Sequence, residues 1–292
     1  MPTLARAVSL PVVESRLTEP APALSPAEVA GGDPMHSSAP LAGMSPDAAA
    51  PVLTEWAVNR FAGQRMVITT AFGMEGCALI DMVARAGAAM EIIYLDTHFF
   101  FEETHRLREK LAERYPKLHF VNRGTSLTPE QQEAQHGEAL WRDNPDLCCH
   151  LRKVEPMRQA MMGVDVWFTG LRRSQSPTRA NLQVLEWDWK FGVLKFSPMA
   201  SWSRTDVWEY IQEHDIPYNE LHDREYPTVG CTHCTMPVPG SRPDSYSRDG
   251  RWAGTNKTEC GLHGAADKIE AANRDRGAGR ADVDVRPGGG GI

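Results

Sequence analysis

The sequence predicts an α/β fold, a mostly parallel sheet with helices on both faces, and three observations carry that expectation. Short β-branched or apolar runs alternate with stretches of helical periodicity, the pattern of βαβ units. Each run is only four to six residues long and nearly all apolar, as strands covered on both faces by helices are. Loops with unusual residues, Ala71–Gly76, Asp96–Phe100 and Gly170–Arg179, follow three of the runs, and in parallel sheets ligands gather at the carboxyl ends of the strands.

The elements follow in chain order. Residues 1–44 are rich in Ala, Pro, Ser and Gly without periodicity and are expected to be a disordered extension. Ser45-Pro46-Asp47 reads as a helix start, with serine as N-cap and proline at the first helical position. Met66–Thr70 is the first strand, Gly76–Ala86 a helix, Glu91–Leu95 the second strand. Glu102–Tyr115 is a charged amphipathic helix and Leu118–Val121 the third strand. Thr128-Pro129-Glu130-Gln131 has the form of a capping box. His150–Met162 reads as helix, Val164–Thr169 as a buried strand, and Ser203–Glu213 as an amphipathic helix that stops before Pro217. The glycine-rich end, 266–292, is again expected to be disordered.

The chain has 292 residues, enough for one large folded unit. A formal net charge of −7 argues against a nucleic-acid partner, which favours basic domains. No run of eighteen apolar residues is present, so no membrane-spanning helix is expected. The opening residues lack the apolar core of a secretory signal, which makes the cytoplasm the expected location. A homo-oligomer is left open.

Three loops and six cysteines hold the unusual chemistry. The loop Thr70–Gly76 joins a strand to a helix through two glycines and reads equally as an anion cradle or a tight turn. Asp96-Thr97 at the end of the second strand could bind a ribose or cap the next helix. The loop Gly170–Arg179 carries Arg172, Arg173 and Arg179, whose guanidinium forks match phosphate or sulfate oxygens. Cys148-Cys149 and the pair Cys231 and Cys234 offer four thiolates for zinc or a four-iron cluster, and the spacing leaves the metal open. Cys77 reads as a small buried hydrophobe. Cys260 stands apart near Arg248, Arg251, Lys257 and His263; such cationic company lowers a thiol's pKa, though a lone cysteine taken by itself reads more readily as an inert surface thiol than as a reactive one.

Taken together, these pieces resemble the assimilatory APS/PAPS reductase family over Met66 to His263. The resemblance rests on Leu95-Asp96-Thr97, Cys148-Cys149-x-x-Arg152-Lys153, Gly170-Leu171-Arg172-Arg173 with Arg179, Gly230-Cys231-x-x-Cys234, and Glu259-Cys260-Gly261-Leu262-His263, all in that order. It implies an adenine nucleotide alpha-hydrolase-like fold with a modified pyrophosphate loop, to which Thr70, Phe72, Gly73 and Glu75 would belong. It implies a catalytic domain over 45–245 with an iron–sulfur site, followed by a mobile catalytic tail over 246–265.

Cys148, Cys149, Cys231 and Cys234 would bind a [4Fe-4S] cluster. Leu95, Asp96, Thr97, Lys153, Gly170, Arg172, Arg173, Arg179, Arg248, Arg251 and His263 would meet the substrate, with Lys153 linking cluster and substrate electrostatically. The implied reaction converts APS to sulfite and AMP through an S-sulfocysteine on Cys260, discharged by a separate thioredoxin or similar dithiol, in sulfate assimilation and cysteine biosynthesis. A PAPS reductase that retains the cluster is the nearest alternative. An ATP-using enzyme of the same fold would carry a Ser-Gly-Gly-x-Asp-Ser loop, which this sequence lacks.

Overall fold

The protein's structure, a computed structural model, describes residues 41 and 44–263. The expectations for residues 1–40 and 264–292 lie outside the described residues.

Six strands form one sheet in the order β3-β2-β1-β4-β6-β5. They are β1 (Met66–Thr69), β2 (Glu91–Tyr94), β3 (His119–Asn122), β4 (Val166–Phe168), β5 (Leu185–Asp188) and β6 (Val193–Phe196). All pairings are parallel except β5 with β6. Strand order reverses at β1, which is flanked by β2 and β4, so a crevice opens at the carboxyl ends of these strands. The fold is the α/β one that the residue pattern predicts.

Alternation along the strands makes two cores, because successive side chains leave opposite faces. Ile68, Ile92, Phe168 and Phe196 face one layer, built by helices α1 (Ala50–Arg60), α2 (Met74–Arg85), α3 (Glu102–Arg114) and α8 (Arg204–Glu213). Val67, Ile93, Trp167 and Val193 face the other, where Met157 and Ala160 of α7 (Glu155–Ala160) pack.

Local signals place several boundaries. Helix α4 (Pro129–His136) opens on a complete capping box, with the Gln131 N–H donating to Thr128 Oγ1 at 3.2 Å and the Thr128 N–H to Gln131 Oε1 at 3.0 Å. Ser203 and Asp206 form a second box at α8. Ser45 departs from expectation. Its hydroxyl accepts the Asp47 N–H in a turn, and α1 starts at Ala50, with Pro51 in its first turn.

The region expected as one helix from His150 starts earlier, with the short helices α5 (Leu140–Asp143) and α6 (Pro145–Cys149). Between α6 and α7 the chain widens into a π turn, His150–Val154, where the Glu155 N–H reaches the His150 carbonyl. Pro156 explains the widening: it has no N–H to donate and its ring crowds the carbonyl one turn back. The wide turn carries Arg152 and Lys153.

The β5–β6 hairpin has no counterpart among the expected strands. Its sequence hides it, since Glu186, Asp188 and Lys195 are charged yet buried. Lys195 Nζ meets Glu186 at 2.7 Å and Asp188 at 3.0 Å, so both buried carboxylates share one cation within the hairpin.

Candidate active site

A cavity of about 190 Å³ lies at the carboxyl ends of β1 and β2. Thr69, Thr70, Ile93 and Leu95 form its floor, and Lys153, Arg179, Arg248 and Arg251 bring positive charge to it. Cys260, Glu259 and His263 close it from the chain's end. Residues drawn from both ends of the sequence thus meet at the crevice.

The loop Thr70–Gly76 is folded tightly against β4. A Cβ on Gly76 would stand 2.2 Å from Thr70 Oγ1, and one on Gly170 would stand 2.9 Å from the Glu75 Cβ. Only glycine fits at either position. The Thr70 hydroxyl also accepts the Phe72 N–H at 2.8 Å. Phe72 takes a left-handed φ of 58° and turns its ring into the core, beside Tyr94 at 5.5 Å. Gly73 is the N-cap of α2.

Arg172 and Glu75 do not line the cavity. Arg172 is fully buried and donates from Nε at 3.1 Å and Nη2 at 2.8 Å to Glu75 Oε1. Arg204 donates to the same oxygen at 3.2 Å. Burial alone would raise the Glu75 pKa, but Arg204 and Arg172 outweigh it and bring it down to about 2. Arg204 reaches on to the Pro243 carbonyl at 2.9 Å, and Arg172 stacks over Tyr246 at 5.1 Å. This buried triad ties the first loop to the arm leading to the tail. Arg173 also turns away, donating to the Leu182 carbonyl at 2.8 Å.

Beside the cavity lies a second, much tighter one of about 10 Å³, lined by Cys148, Cys149, Cys231 and Cys234. Lys153 lines both. All four cysteines are unpaired, although 148–149 and 231–234 come from distant segments. Burial pushes Cys148 up to about 11, with Cys231 and Cys234 adding to it, and Cys149 up to about 12. Cys231 goes down instead: burial opposes ionisation, and Lys153, the Thr97 hydroxyl and Arg251 outweigh it. Burial works against the Lys153 cation, but the thiolates of Cys231, Cys260 and Cys149 push its pKa up.

Thr97, expected at the substrate, is buried with its Oγ1 at 3.3 Å from Cys231 Sγ. Asp96 accepts the His98 N–H at 2.8 Å, which makes it a turn former. Trp141 stacks on His233 at 4.5 Å, and the Phe99 ring meets His233 edge-on at 4.8 Å, covering the cysteine cavity with aromatic rings.

Arg152 is a residue that residue-by-residue reading of the sequence leaves without a role. It donates to the Gln132 side chain at 2.7 Å and the Thr97 carbonyl at 2.8 Å, and packs on Phe99. Its Nη2 is buried without a hydrogen-bond partner, and the residue lines the cysteine cavity. Its place three residues after the cysteine pair's helix was the available signal. Among the described residues no three His, Cys, Asp or Glu side chains are grouped so as to hold a single metal ion. Four sulfurs spread round a larger group need not converge on one point.

The tail passes over the first cavity. Leu262 packs on the second core, and His263 stacks on Trp167 at 5.0 Å. Burial pushes the His263 pKa well below its ordinary value, and Arg179 and Lys195 push it further, so the ring is neutral. Arg251 donates from Nε to the Cys234 carbonyl at 3.1 Å and lies over Trp252 at 4.6 Å.

Residues 65–237 match the family described as phosphoadenosine phosphosulfate reductase domain. The chain is 44% identical over 209 residues to the adenosine 5'-phosphosulfate reductase of Halalkalibacterium halodurans, covering 72% of this chain and 89% of that one. It is 43% identical over 209 residues to adenosine 5'-phosphosulfate reductase 2 of Bacillus subtilis, covering 72% and 87%. A crystal structure of phosphoadenylyl-sulfate (PAPS) reductase from Candida auris, in a phosphate complex, superposes with a TM-score of 0.57 at 33% identity, over 65% of this chain and 91% of that one. Among the described residues no helix is long and apolar enough to cross a membrane.

Proposed function

The chain belongs to the phosphoadenosine phosphosulfate reductase domain family, and from that premise we propose that it reduces adenosine 5'-phosphosulfate (APS) to sulfite and AMP in sulfate assimilation. The observation that carries this reading is Cys260 on the wall of a cationic cavity at the carboxyl ends of β1 and β2, facing Lys153 and Arg251.

The Cys260 thiolate attacks the sulfonate sulfur and forms an S–S bond as the bond from sulfur to the phosphate oxygen breaks. AMP leaves with that electron pair. The sulfonate oxygens repel an anionic nucleophile, and Lys153 and Arg251 offset their charge. A thiolate of thioredoxin or a similar dithiol then attacks the Cys260 sulfur, releasing sulfite and leaving a mixed disulfide. Its second thiol resolves that disulfide, so the dithiol is oxidised as sulfur is reduced. The neutral His263 ring and Trp167 hold the tail's end against the sheet.

Cys148, Cys149, Cys231 and Cys234 would hold a [4Fe-4S] cluster. Four thiols on one cavity, three of them buried and Cys234 half-buried, and the unpartnered Arg152 Nη2 beside them support that assignment. Bound there, the cluster would supply a local charge that acts on the substrate through Lys153, which lines both cavities.

Two measurements test the proposal. Anaerobic protein mixed with APS and no thiol should release one AMP per active site and gain a sulfonate on Cys260 alone; AMP release without the adduct would reject the mechanism. Anaerobically purified protein should contain iron and acid-labile sulfide, and Cys231→Ser should lose both. Zinc alone in the unaltered protein rejects the cluster. Comparing kcat/KM for APS and PAPS fixes the nucleotide.

A further inference from the structure

Glu259 precedes Cys260, and the reaction described above gives its carboxylate no task. Yet three side chains hold it. Its Oε2 accepts from Arg179 Nη2 at 2.9 Å and Arg248 Nη2 at 3.3 Å, and its Oε1 accepts from Ser176 Oγ at 3.2 Å. The Glu259 side chain is 14% exposed and that of Arg179 is 9% exposed, so water competes little for these bonds. Arg179 is braced from behind by Gln175 in its own loop. Arg248 also donates to the Thr258 carbonyl at 2.7 Å.

Neighbouring contacts extend the attachment. Lys257 pairs with Asp146, three residues before Cys149, and Lys190 donates to the Gly261 carbonyl. The body of the protein thus holds the tail through Asp146 at residue 257, Arg179 at 259 and Lys190 at 261, and Arg248 braces 258 and 259 from within the tail, with Cys260 in their midst. Among the described residues of the tail, Glu259 is the carboxylate that pairs with two arginines of the cavity wall at once.

We propose that Glu259 is a positioning residue: its carboxylate docks on Arg179, Arg248 and Ser176 and thereby seats Cys260 over the cavity for attack. Letting go of the same bonds frees the tail for the dithiol partner. This rests on reading Cys260 as the nucleophile. It also divides the cations. Arg179 and Arg248, expected at the substrate, are occupied by the tail, so Lys153 and Arg251 are left to meet the sulfonate.

The test is Glu259→Gln, which keeps the shape and removes the charge. Without nucleotide, iodoacetamide should label the Cys260 peptide about tenfold faster than in the unaltered protein, the effect of losing one charge-assisted tether. Single-turnover sulfonation of Cys260 by APS should slow about tenfold, while thiol-driven sulfite release from the sulfonated variant should not slow. Glu259→Asp, one methylene short, should fall between. Labelling and sulfonation both within about twofold of the unaltered protein would overturn the proposal. So would faster sulfonation in Glu259→Gln, which would make the carboxylate an obstacle at an anion site. If the unaltered protein forms no adduct on Cys260, the nucleophile reading fails, and the labelling rates still judge the latch.

Discussion

Cys260→Ser is expected to lower sulfite formation from APS by at least about 10⁴-fold, the scale on which removal of a covalent nucleophile acts. The hydroxyl would occupy the same place in the cavity wall, but it is a far weaker nucleophile than a thiolate. No other cysteine can substitute. Cys77 is fully buried in the core behind the first loop, and Cys148, Cys149, Cys231 and Cys234 surround the neighbouring cavity. The variant should therefore bind APS with an affinity close to the original, because the cavity floor and cations remain. It should match the unaltered protein in iron content and release no AMP. Equilibrium binding of APS together with steady-state sulfite release checks the split. Normal turnover in the variant would end the S-sulfocysteine mechanism.

Glu75→Gln should produce the largest loss of stability of any single substitution at the site. It leaves Arg172 and Arg204, with side chains only 1% and 6% exposed, facing a neutral amide. Breaking a buried ion pair on one side costs about 3–5 kcal/mol. For a folded unit of this size that lowers Tm on the order of 10 °C.

The same group sets an acid limit. The folded Glu75 pKa of about 2 lies below the ordinary carboxyl value of 4.5. Its contribution is thus fully present above 4.5 and is lost as pH falls from there towards about 2. Thermal melts of both proteins between neutral and strongly acid pH test this. The unaltered protein should lose its advantage over the variant across that window. Parallel melting curves at every pH would refute the assignment. Because the triad also holds the Pro243 carbonyl and Tyr246, the variant should lose tail order before the sheet melts.

The legible parts of the fold were those fixed by neighbours in sequence. Four of the six strands show as short apolar runs, and the boxes at Thr128 and Ser203 set helix starts through bonds three residues apart. The β5–β6 hairpin escaped because Glu186 and Asp188 share the Lys195 cation inside it, so buried residues look like surface ones. Ser45 misled for the opposite reason: a serine before proline caps a turn as readily as a helix.

At the site, residue type alone did not reveal which partner each side chain meets. Arg172, Arg173, Arg179 and Arg248 have the chemistry of anion binding, but their guanidinium groups satisfy Glu75, the Leu182 carbonyl and Glu259. Phe72 contributes backbone to the loop and its ring to the core. Thr97 serves a cysteine.

The sequence by itself determined the layered α/β architecture, the two cysteine pairs, the tail thiol and the family to which they belong. These depend on local periodicity and on which chemical groups are present. Only the tertiary structure decided which charges neutralise one another. Arg204 finds Glu75 across 129 positions and Arg179 finds Glu259 across 80, and nothing along the chain marks such partners. Burial makes the pairing compulsory, since a charge removed from water must meet its opposite, and whatever arginine the protein spends on itself is withheld from the ligand.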